Sequence, residues 1–142
     1  MSSYIFFVVV QASLMYEIRK HKNWVRALLV LQNGSLVSSS FDKSICVWNT
    51  ENGGCIKKIE NLPTLTCAFS NLNNGDFASA TGSYIYIWNG EDYSFKFKFP
   101  AHDKTIWCLK TLPNGDLISG GSDRKIKTWN YFEIQEETIL DE

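Results

Sequence analysis

The sequence lacks cysteines and histidines at the spacing typical of a metal site. The four cysteines are Cys46, Cys55, Cys67 and Cys108. No two of them are separated by the two residues typical of a zinc site, and the chain has only two histidines to complete a ligand set. We therefore expect no metal and no cofactor. Reduced thiols in a reducing compartment favour the cytoplasm, with the nucleus as the alternative.

Long apolar runs are missing as well. The opening run Tyr4–Val10 covers seven residues, whereas a membrane helix needs about 20. No lysine or arginine precedes Arg19, so the basic start of a secretory signal peptide is also lacking. We interpret the opening run as an edge strand and expect no membrane association.

An excess of either charge is the third absence. Fourteen basic residues face 15 acidic ones, for a net charge of −1. Together with 44% hydrophobic and 14% aromatic residues, this balance indicates an ordered globular domain and gives no sign of nucleic-acid binding. The glycine-containing string from Gly115 to Gly121 has neither the lysine nor the helix start of a phosphate-binding loop.

What the chain does contain is a phrase that occurs three times. The copies are LQNGSLVSSSFDKSICVWN from Leu31, LNNGDFASATGSYIYIWN from Leu72 and LPNGDLISGGSDRKIKTWN from Leu112. Their closing tryptophans, Trp48, Trp88 and Trp129, are 40 and 41 residues apart. Self-similarity at a fixed period of this length is typical of repeat architectures.

Each repeat has the local chemistry of antiparallel strands. An Asn-Gly pair between two apolar runs predicts a tight hairpin, since both residues tolerate positive φ. The segment Ser94–Phe99 alternates phenylalanine and lysine, as a half-exposed strand does. Turn signals divide each repeat into about four strands, and no helical stripe occurs. The predicted fold class is all-β.

These residues resemble the WD-repeat family, whose units are four-stranded antiparallel blades of a β-propeller. His21 precedes Trp48 by 27 residues, and His102 precedes Trp129 by the same 27. The closing dipeptide is Trp-Asn instead of Trp-Asp in all three units. The resemblance covers residues from about Met15 to Phe132 and implies three blades.

The predicted division of the chain follows from this resemblance. Residues 1–20 are expected to be the last two strands of a preceding blade, over Tyr4–Val10 and Leu14–Ile18. Residues 21–61, 62–101 and 102–142 are expected to be a first unit, a degenerate second unit, and a third unit with an acidic tail.

This length supplies too few blades for a closed ring. A propeller closes with about four to eight blades, so we expect an open or incomplete propeller. Three accounts of the missing blades remain: the chain is a fragment of a longer product, it self-associates, or it docks to another propeller-forming chain. We favour the fragment.

The resemblance also implies a buried hydrogen-bond chain from tryptophan through serine and histidine to aspartate. Its members are Trp48, Ser38, His21 and Asp42 in the first unit, and Trp129, Ser119, His102 and Asp123 in the third. The second unit keeps Ser79 and Trp88, but Leu62 replaces histidine and the turn at Gly82 is one residue shorter. We expect the second blade to be the softest.

The same serine, histidine and aspartate could indicate a catalytic triad. We reject an enzyme because the set occurs twice in equivalent repeat positions, and because a tryptophan takes the remaining partner position of each serine hydroxyl. Roles, and not residue types alone, define a triad. The set is interpreted as structural.

The family's partners bind on the upper face of the ring. The matching positions point to Trp24, Arg26, Phe41 and Trp107, residue types enriched in binding hot spots. The alternative is that Trp24 and Trp107 are core residues.

The leading function is a non-catalytic scaffold or adaptor that binds a protein or peptide. Alternatives are a ubiquitin-binding propeller adaptor, a late blade of which the segment from Phe99 to Asp116 resembles, and a truncated fragment without a function of its own.

Overall fold

A computed structural model describes residues 12–131 of the chain. These residues form eleven strands. In chain order they are β1 Val25–Val30, β2 Leu36–Ser40, β3 Ile45–Trp48, β4 Cys55–Ile59, β5 Thr66–Asn71, β6 Phe77–Thr81, β7 Tyr84–Trp88, β8 Phe95–Pro100, β9 Ile106–Thr111, β10 Leu117–Gly121 and β11 Ile126–Trp129. No helix among the described residues is long and apolar enough to span a membrane.

The strands form three antiparallel sheets, each a simple meander. Blade 1 has the order β1-β2-β3-β4, blade 2 the order β5-β6-β7-β8, and the described part of blade 3 the order β9-β10-β11. The first turn of each meander carries the predicted Asn-Gly pair, with Gly34, Gly75 and Gly115 at φ of 89°, 93° and 95°. Glycine adopts these angles without steric cost. The expected all-β architecture of an incomplete propeller is confirmed.

The expected partial blade at the N-terminus is not formed where the structure describes it. Residues 12–20 contain no strand, and Leu14 and Met15 are 79% and 87% exposed. The strand that the repeat spacing before His21 predicted over Leu14–Ile18 is therefore not formed in the described part of the chain. The strand expected over Tyr4–Val10 lies outside the described residues.

The blades pack face to face through two apolar layers. The layer between blades 1 and 2 includes Val37, Ile45, Val47, Phe77 and Trp88. The layer between blades 2 and 3 includes Ala78, Ile85, Ile87, Ile106 and Leu117. Blade 2 is covered on both faces, so its strands β6 and β7 are almost entirely buried.

Equivalent positions reveal where the packing stops. Ile45 and Ile85 point from blades 1 and 2 toward the next blade and are fully buried, whereas the equivalent Ile126 of blade 3 is 83% exposed. At the other end, Leu28 of blade 1 is 63% exposed, while its equivalents Phe69 and Leu109 are buried. Both outer faces of the arc are therefore open within the described residues.

Candidate functional site

The meander topology sorts the connecting loops onto two opposite faces. The upper face consists of residues 20–24, 41–44, 60–65, 82–83, 101–105 and 122–125, which precede each first strand or join each second strand to the third. The lower face consists of residues 31–35, 49–54, 72–76, 89–94 and 112–116, including the Asn-Gly turns. Every candidate partner-binding residue belongs to the upper face or to the adjacent ends of β1 and β9.

In blade 1 the predicted polar residues form one continuous chain. Trp48 Nε1 donates to Ser38 Oγ at 2.8 Å, and Ser38 Oγ lies 2.7 Å from His21 Nε2. His21 Nδ1 lies 3.2 Å from Asp42 Oδ2. Ser44, which the sequence interpretation missed, donates to Asp42 and lies 3.1 Å from His21 Nδ1. This chain ties the loop before β1 to strands β2 and β3 and to the turn between them.

Blade 3 contains the same chain in equivalent positions. Trp129 Nε1 donates to Ser119 Oγ at 2.9 Å, and Ser119 Oγ lies 2.8 Å from His102 Nε2. His102 Nδ1 lies 2.8 Å from Asp123 Oδ2. The other carboxylate oxygen, Asp123 Oδ1, accepts a hydrogen bond from the backbone N–H of Lys125. Ser119 is fully buried and His102 is 5% exposed.

Hydrogen bonds stabilise the ionised form of both Asp42 and Asp123. Burial raises the pKa of Asp42, but donors from Ser44, from the Lys22 backbone and from His21 outweigh it and hold the pKa far below its ordinary value. Burial also raises the pKa of Asp123, and His102 with the backbone N–H of Lys125 outweighs it and lowers the pKa. Both carboxylates are therefore ionised at neutral pH, because these hydrogen bonds favour the charged form.

The buried serines are not placed to act as nucleophiles. Ser38 and Ser119 are 3% and 0% exposed, and each hydroxyl lies between an indole N–H and an imidazole. A substrate carbonyl would have no access to either oxygen. The geometry is that of a satisfied polar network that pins four parts of one blade together.

Blade 2 has a different arrangement at the same place. Trp88 Nε1 donates to Ser79 Oγ at 2.9 Å, and Ser79 Oγ lies 3.2 Å from Thr81 Oγ1. Thr81 Oγ1 in turn lies 2.8 Å from Thr66 Oγ1. Both threonines are buried, and Leu62 packs against the apolar layer shared with blade 1. The Thr81 hydroxyl, itself bonded to Thr66, thus satisfies the serine in the absence of histidine and aspartate.

The sequence interpretation missed both threonines. A signal existed, because Thr66 begins β5 and Thr81 ends β6, so an antiparallel register places them opposite each other. The network, and the cover on both faces, argue against the expectation that blade 2 is the softest of the three.

Two of the candidate binding residues form an exposed aromatic pair. Trp24 is 77% exposed and Phe41 is 42% exposed. Their ring centroids are 5.8 Å apart at an interplanar angle of 82°, an edge-to-face contact. The backbone N–H of Phe41 donates to the carbonyl of Trp24 at 2.9 Å. The pair therefore has a defined backbone geometry while most of its apolar surface faces outward.

The other two candidates form a second pair across the inner strands. The guanidinium carbon of Arg26 lies 5.6 Å from the ring centroid of Trp107, within the range of a cation–π contact. Trp107 Nε1 donates to Ser122 Oγ at 2.6 Å, and the indole remains 45% exposed. Neither Trp24 nor Trp107 is a core residue. A groove of about 300 Å³ runs between β1, β5 and β9 beside this pair.

The four cysteines form no disulfide, and two of them have thiols of low reactivity. Cys46 and Cys67 are buried, and burial raises the pKa of both thiols. Residues 12–131 contain no group of three or more His, Cys, Asp or Glu side chains arranged to hold a metal ion.

Comparison with known proteins gives one consistent family. The profile "WD domain, G-beta repeat" matches residues 12–49 and 93–130, together more than half of the chain. The unmatched stretch between them contains most of the degenerate second unit.

Similar solved structures include the WD40 β-propeller domain of Doa1, with 28% identity and a TM-score of 0.70 over 78% of this chain. The RRP9 WD40 repeats have 24% identity and a TM-score of 0.73 over 81% of it.

Similar curated proteins have diverse names. The ribosome biogenesis protein BOP1 homolog of Drosophila mojavensis is 31% identical over 131 residues, 88% of this chain and 15% of the relative. The ubiquitin homeostasis protein lub1 of Schizosaccharomyces pombe is 27% identical over 124 residues, 86% of this chain and 17% of the relative. The chain thus spans under a fifth of these relatives, and 38% of each of the two solved propeller chains.

Proposed function

This chain belongs to the WD-repeat family, and from that premise we propose that it is a non-catalytic protein-interaction module whose partner docks on the upper face. The docking residues are Trp24, Arg26, Phe41 and Trp107. The observation that carries this proposal is the exposure of both tryptophans, at 77% and 45%, on the loop face and inner strand ends. Exposed tryptophan and arginine held by neighbouring rings are the residue types that dominate binding energies.

A non-catalytic role is supported by the environment of the polar networks. The serine hydroxyls of all three blades are buried and hydrogen-bonded to a tryptophan indole. A polar cluster with these contacts stabilises a blade, and it keeps these three serine hydroxyls away from any substrate.

We further propose that the module is part of a larger propeller. Its open outer faces carry Ile126 and Leu28 in positions that a neighbouring blade buries elsewhere in the same chain. The relatives it matches are several times longer. Rings need about four to eight blades, and the missing ones would come from a longer product, further copies of the chain, or another propeller-forming chain.

A ubiquitin-binding adaptor is the second candidate function. Its support is the similarity to lub1, a protein named for ubiquitin homeostasis, and to the Doa1 propeller domain. Relatives named for ribosome biogenesis match at similar identity, so the shared part is the repeat itself. Titration of ¹⁵N-labelled ubiquitin with the chain checks this candidate, since a ubiquitin adaptor must shift a contiguous set of ubiquitin resonances.

The location is proposed as cytoplasmic, with the nucleus as the alternative. Unpaired thiols favour a reducing compartment. Similarity to the U3 small nucleolar RNA-associated protein 12 of Saccharomyces cerevisiae, at 25% identity over 127 residues, supports the nuclear alternative.

Trp24→Ala and Trp107→Ala test the docking face. We expect each to abolish capture of the partner that crosslinks to the wild-type chain, while circular dichroism shows that each variant still folds. Ile56→Ala is the matched control, because Ile56 is 48% exposed on the outer strand β4. Partner capture that survives both tryptophan changes contradicts the proposal. No partner at all for a folded chain would favour a fragment without its own function.

A further inference from the structure

The charges of the chain are divided between its two loop faces. The lower-face loops carry five charged residues, all of them acidic: Glu51, Asp76, Glu91, Asp92 and Asp116. The upper-face loops carry six basic residues: Lys20, Lys22, Lys43, Lys104, Arg124 and Lys125. A net charge of −1 for the whole chain conceals this separation.

The acidic residues of the upper face do not neutralise its cations. Asp42 and Asp123 are turned inward to their histidines and to backbone N–H groups. Glu60 forms an ion pair with Lys58 of β4 at 2.9 Å. Only Asp103 remains outward without an ion pair in the described residues. All six cations are exposed, and none of them forms an ion pair with a described residue.

Arg26 adds a seventh unneutralised cation at the centre of the docking residues. Its guanidinium stacks on Trp107 and forms no ion pair or hydrogen bond with a described residue. The guanidinium is planar and always charged, and its five N–H donors match the two oxygens of a carboxylate. The indole limits its rotation, so less order has to be imposed when an anion binds.

We propose that the upper face binds an acidic peptide segment. A carboxylate of the segment binds Arg26, an apolar or aromatic side chain next to it packs against Trp24 and Phe41, and further carboxylates lie near the exposed lysines. This inference rests on the proposed function and specifies the chemistry of the partner. Asp76 of the lower face is buried and paired with Lys96 at 2.7 Å. The other four charged residues of the lower-face loops are all acidic, so charge favours the upper face.

Nucleic acid is the other polyanion that a basic face could take, and the observations favour a peptide. A pI above about 9 is typical of domains that bind nucleic acid, whereas this chain has a sequence pI of about 6.1. The exposed cations are spread over the loops of two blades, and the outward aromatic pair is edge-to-face, which leaves no open stacking platform of two parallel rings for bases.

Selection from a random 16-residue peptide display library on the immobilised full chain tests the proposal. We expect the enriched peptides to carry a clear excess of Asp and Glu together with an apolar residue. Their affinity should fall about tenfold in Arg26→Gln, because a charge-assisted bidentate contact is lost. It should also fall as NaCl is raised from 50 to 300 mM.

Two further variants serve as a control and as a replacement for Arg26→Gln. Lys98→Gln removes an exposed cation on the outer strand β8, and it should change the affinity less than twofold. If Arg26→Gln does not fold, Lys22→Gln combined with Lys43→Gln removes two exposed cations of blade 1 and should weaken the same peptides.

The outcomes separate this inference from the function on which it rests. Neutral or basic peptides that require Trp24 but not Arg26 or the lysines would overturn the acidic partner and leave the docking face intact. Peptides that ignore both Trp24 and Trp107 would overturn the docking face itself. Tighter binding of a 20-nucleotide single-stranded RNA than of the enriched peptides, with the same dependence on Arg26, would overturn the peptide in favour of nucleic acid.

Discussion

The hydroxyl of Thr81 lies 3.2 Å from the hydroxyl of Ser79, in the place that an imidazole nitrogen takes beside Ser38 and Ser119 in the neighbouring blades. One blade thus satisfies its buried serine with a neutral hydroxyl, whereas the other two use a histidine that is itself held by an ionised aspartate. The first prediction follows from this difference.

Thr81→Val removes one partner from each of two buried hydroxyls, those of Ser79 and Thr66. We expect the free energy of unfolding to fall by about 1–2 kcal/mol, since an unsatisfied buried group costs more than a bond gains. The double variant Thr66→Val with Thr81→Val removes both members of the pair and should cost less than the single change. Urea denaturation measures both. If the free energy of unfolding of the double variant falls by the sum of the two single losses, Thr66 and Thr81 are not coupled.

His102→Ala leaves Asp123 without its main side-chain donor and Ser119 without its imidazole partner. The expected loss is about 1–3 kcal/mol, because the buried Ser119 hydroxyl loses its imidazole partner. Leu62→His should bring no gain, since the second blade has no aspartate to receive it and Leu62 already packs in an apolar layer. Equal thermal shifts for the two variants would show that the blades are wrongly aligned.

Acid sensitivity should depend on Asp42. Its pKa is far below the ordinary value of 3.8 in the folded chain, so its contribution to stability is fully present above about pH 4 and is lost as the pH falls below that value. Asp42→Asn should lower stability at pH 7 and flatten the decline between pH 4 and pH 2. Asp103→Asn, which removes an exposed carboxylate on the same face, is the control for urea melts across this range. An unchanged slope in Asp42→Asn would contradict the assignment.

Equivalent isoleucines should respond differently to charge. Ile85 is fully buried between blades 2 and 3, and Ile126 is 83% exposed. Ile85→Glu is expected to prevent folding or to cost more than about 4 kcal/mol, because an ionised group enters an apolar layer. Ile126→Glu should stay within about 0.5 kcal/mol. A large loss at Ile126 in sedimentation-verified monomers would mean that this face is covered.

Two glycines make a similar pair. A Cβ at Gly90 would lie 1.7 Å from the carbonyl oxygen of Gly75, whereas one at Gly120 would meet nothing within 4 Å. Gly90→Ala should therefore force two turns of blade 2 apart and cost about 3 kcal/mol. Gly120→Ala should be neutral or slightly stabilising. Calorimetry of both variants checks this, and similar melting temperatures would refute the close approach.

Features with a fixed spacing were predictable from the sequence. The Asn-Gly pairs predicted the hairpins, and the 40- and 41-residue steps between Trp48, Trp88 and Trp129 predicted the blades. The distance from His21 to Trp48 pointed to the residues that lie in one polar network. These features are local, or they recur in each repeat, so one strand register explains all of them.

Features that depend on neighbours were not predictable. The pairing of Thr66 with Thr81 requires the register of two strands, and whether Leu14–Ile18 forms a strand depends on tertiary pairing and not on its local sequence. Whether Trp24 and Trp107 are core or surface depends on which loops lie beside them. The inward turn of Asp42 and Asp123, which leaves the upper face basic, likewise depends on side-chain direction and not on composition.

The meander order has a consequence for how the chain is made. Every described strand pairs only with its neighbours in sequence, so during synthesis each strand can pair as soon as it follows its predecessor from the ribosome, and only short loops must close. The apolar layer of a blade, by contrast, waits for the next repeat about 40 residues later. At ribosomal speed that is roughly 2–8 seconds, during which the Ile45 face of blade 1 is uncovered. Translation rate, and the chaperones that act within those seconds, therefore bear on the yield of folded chain.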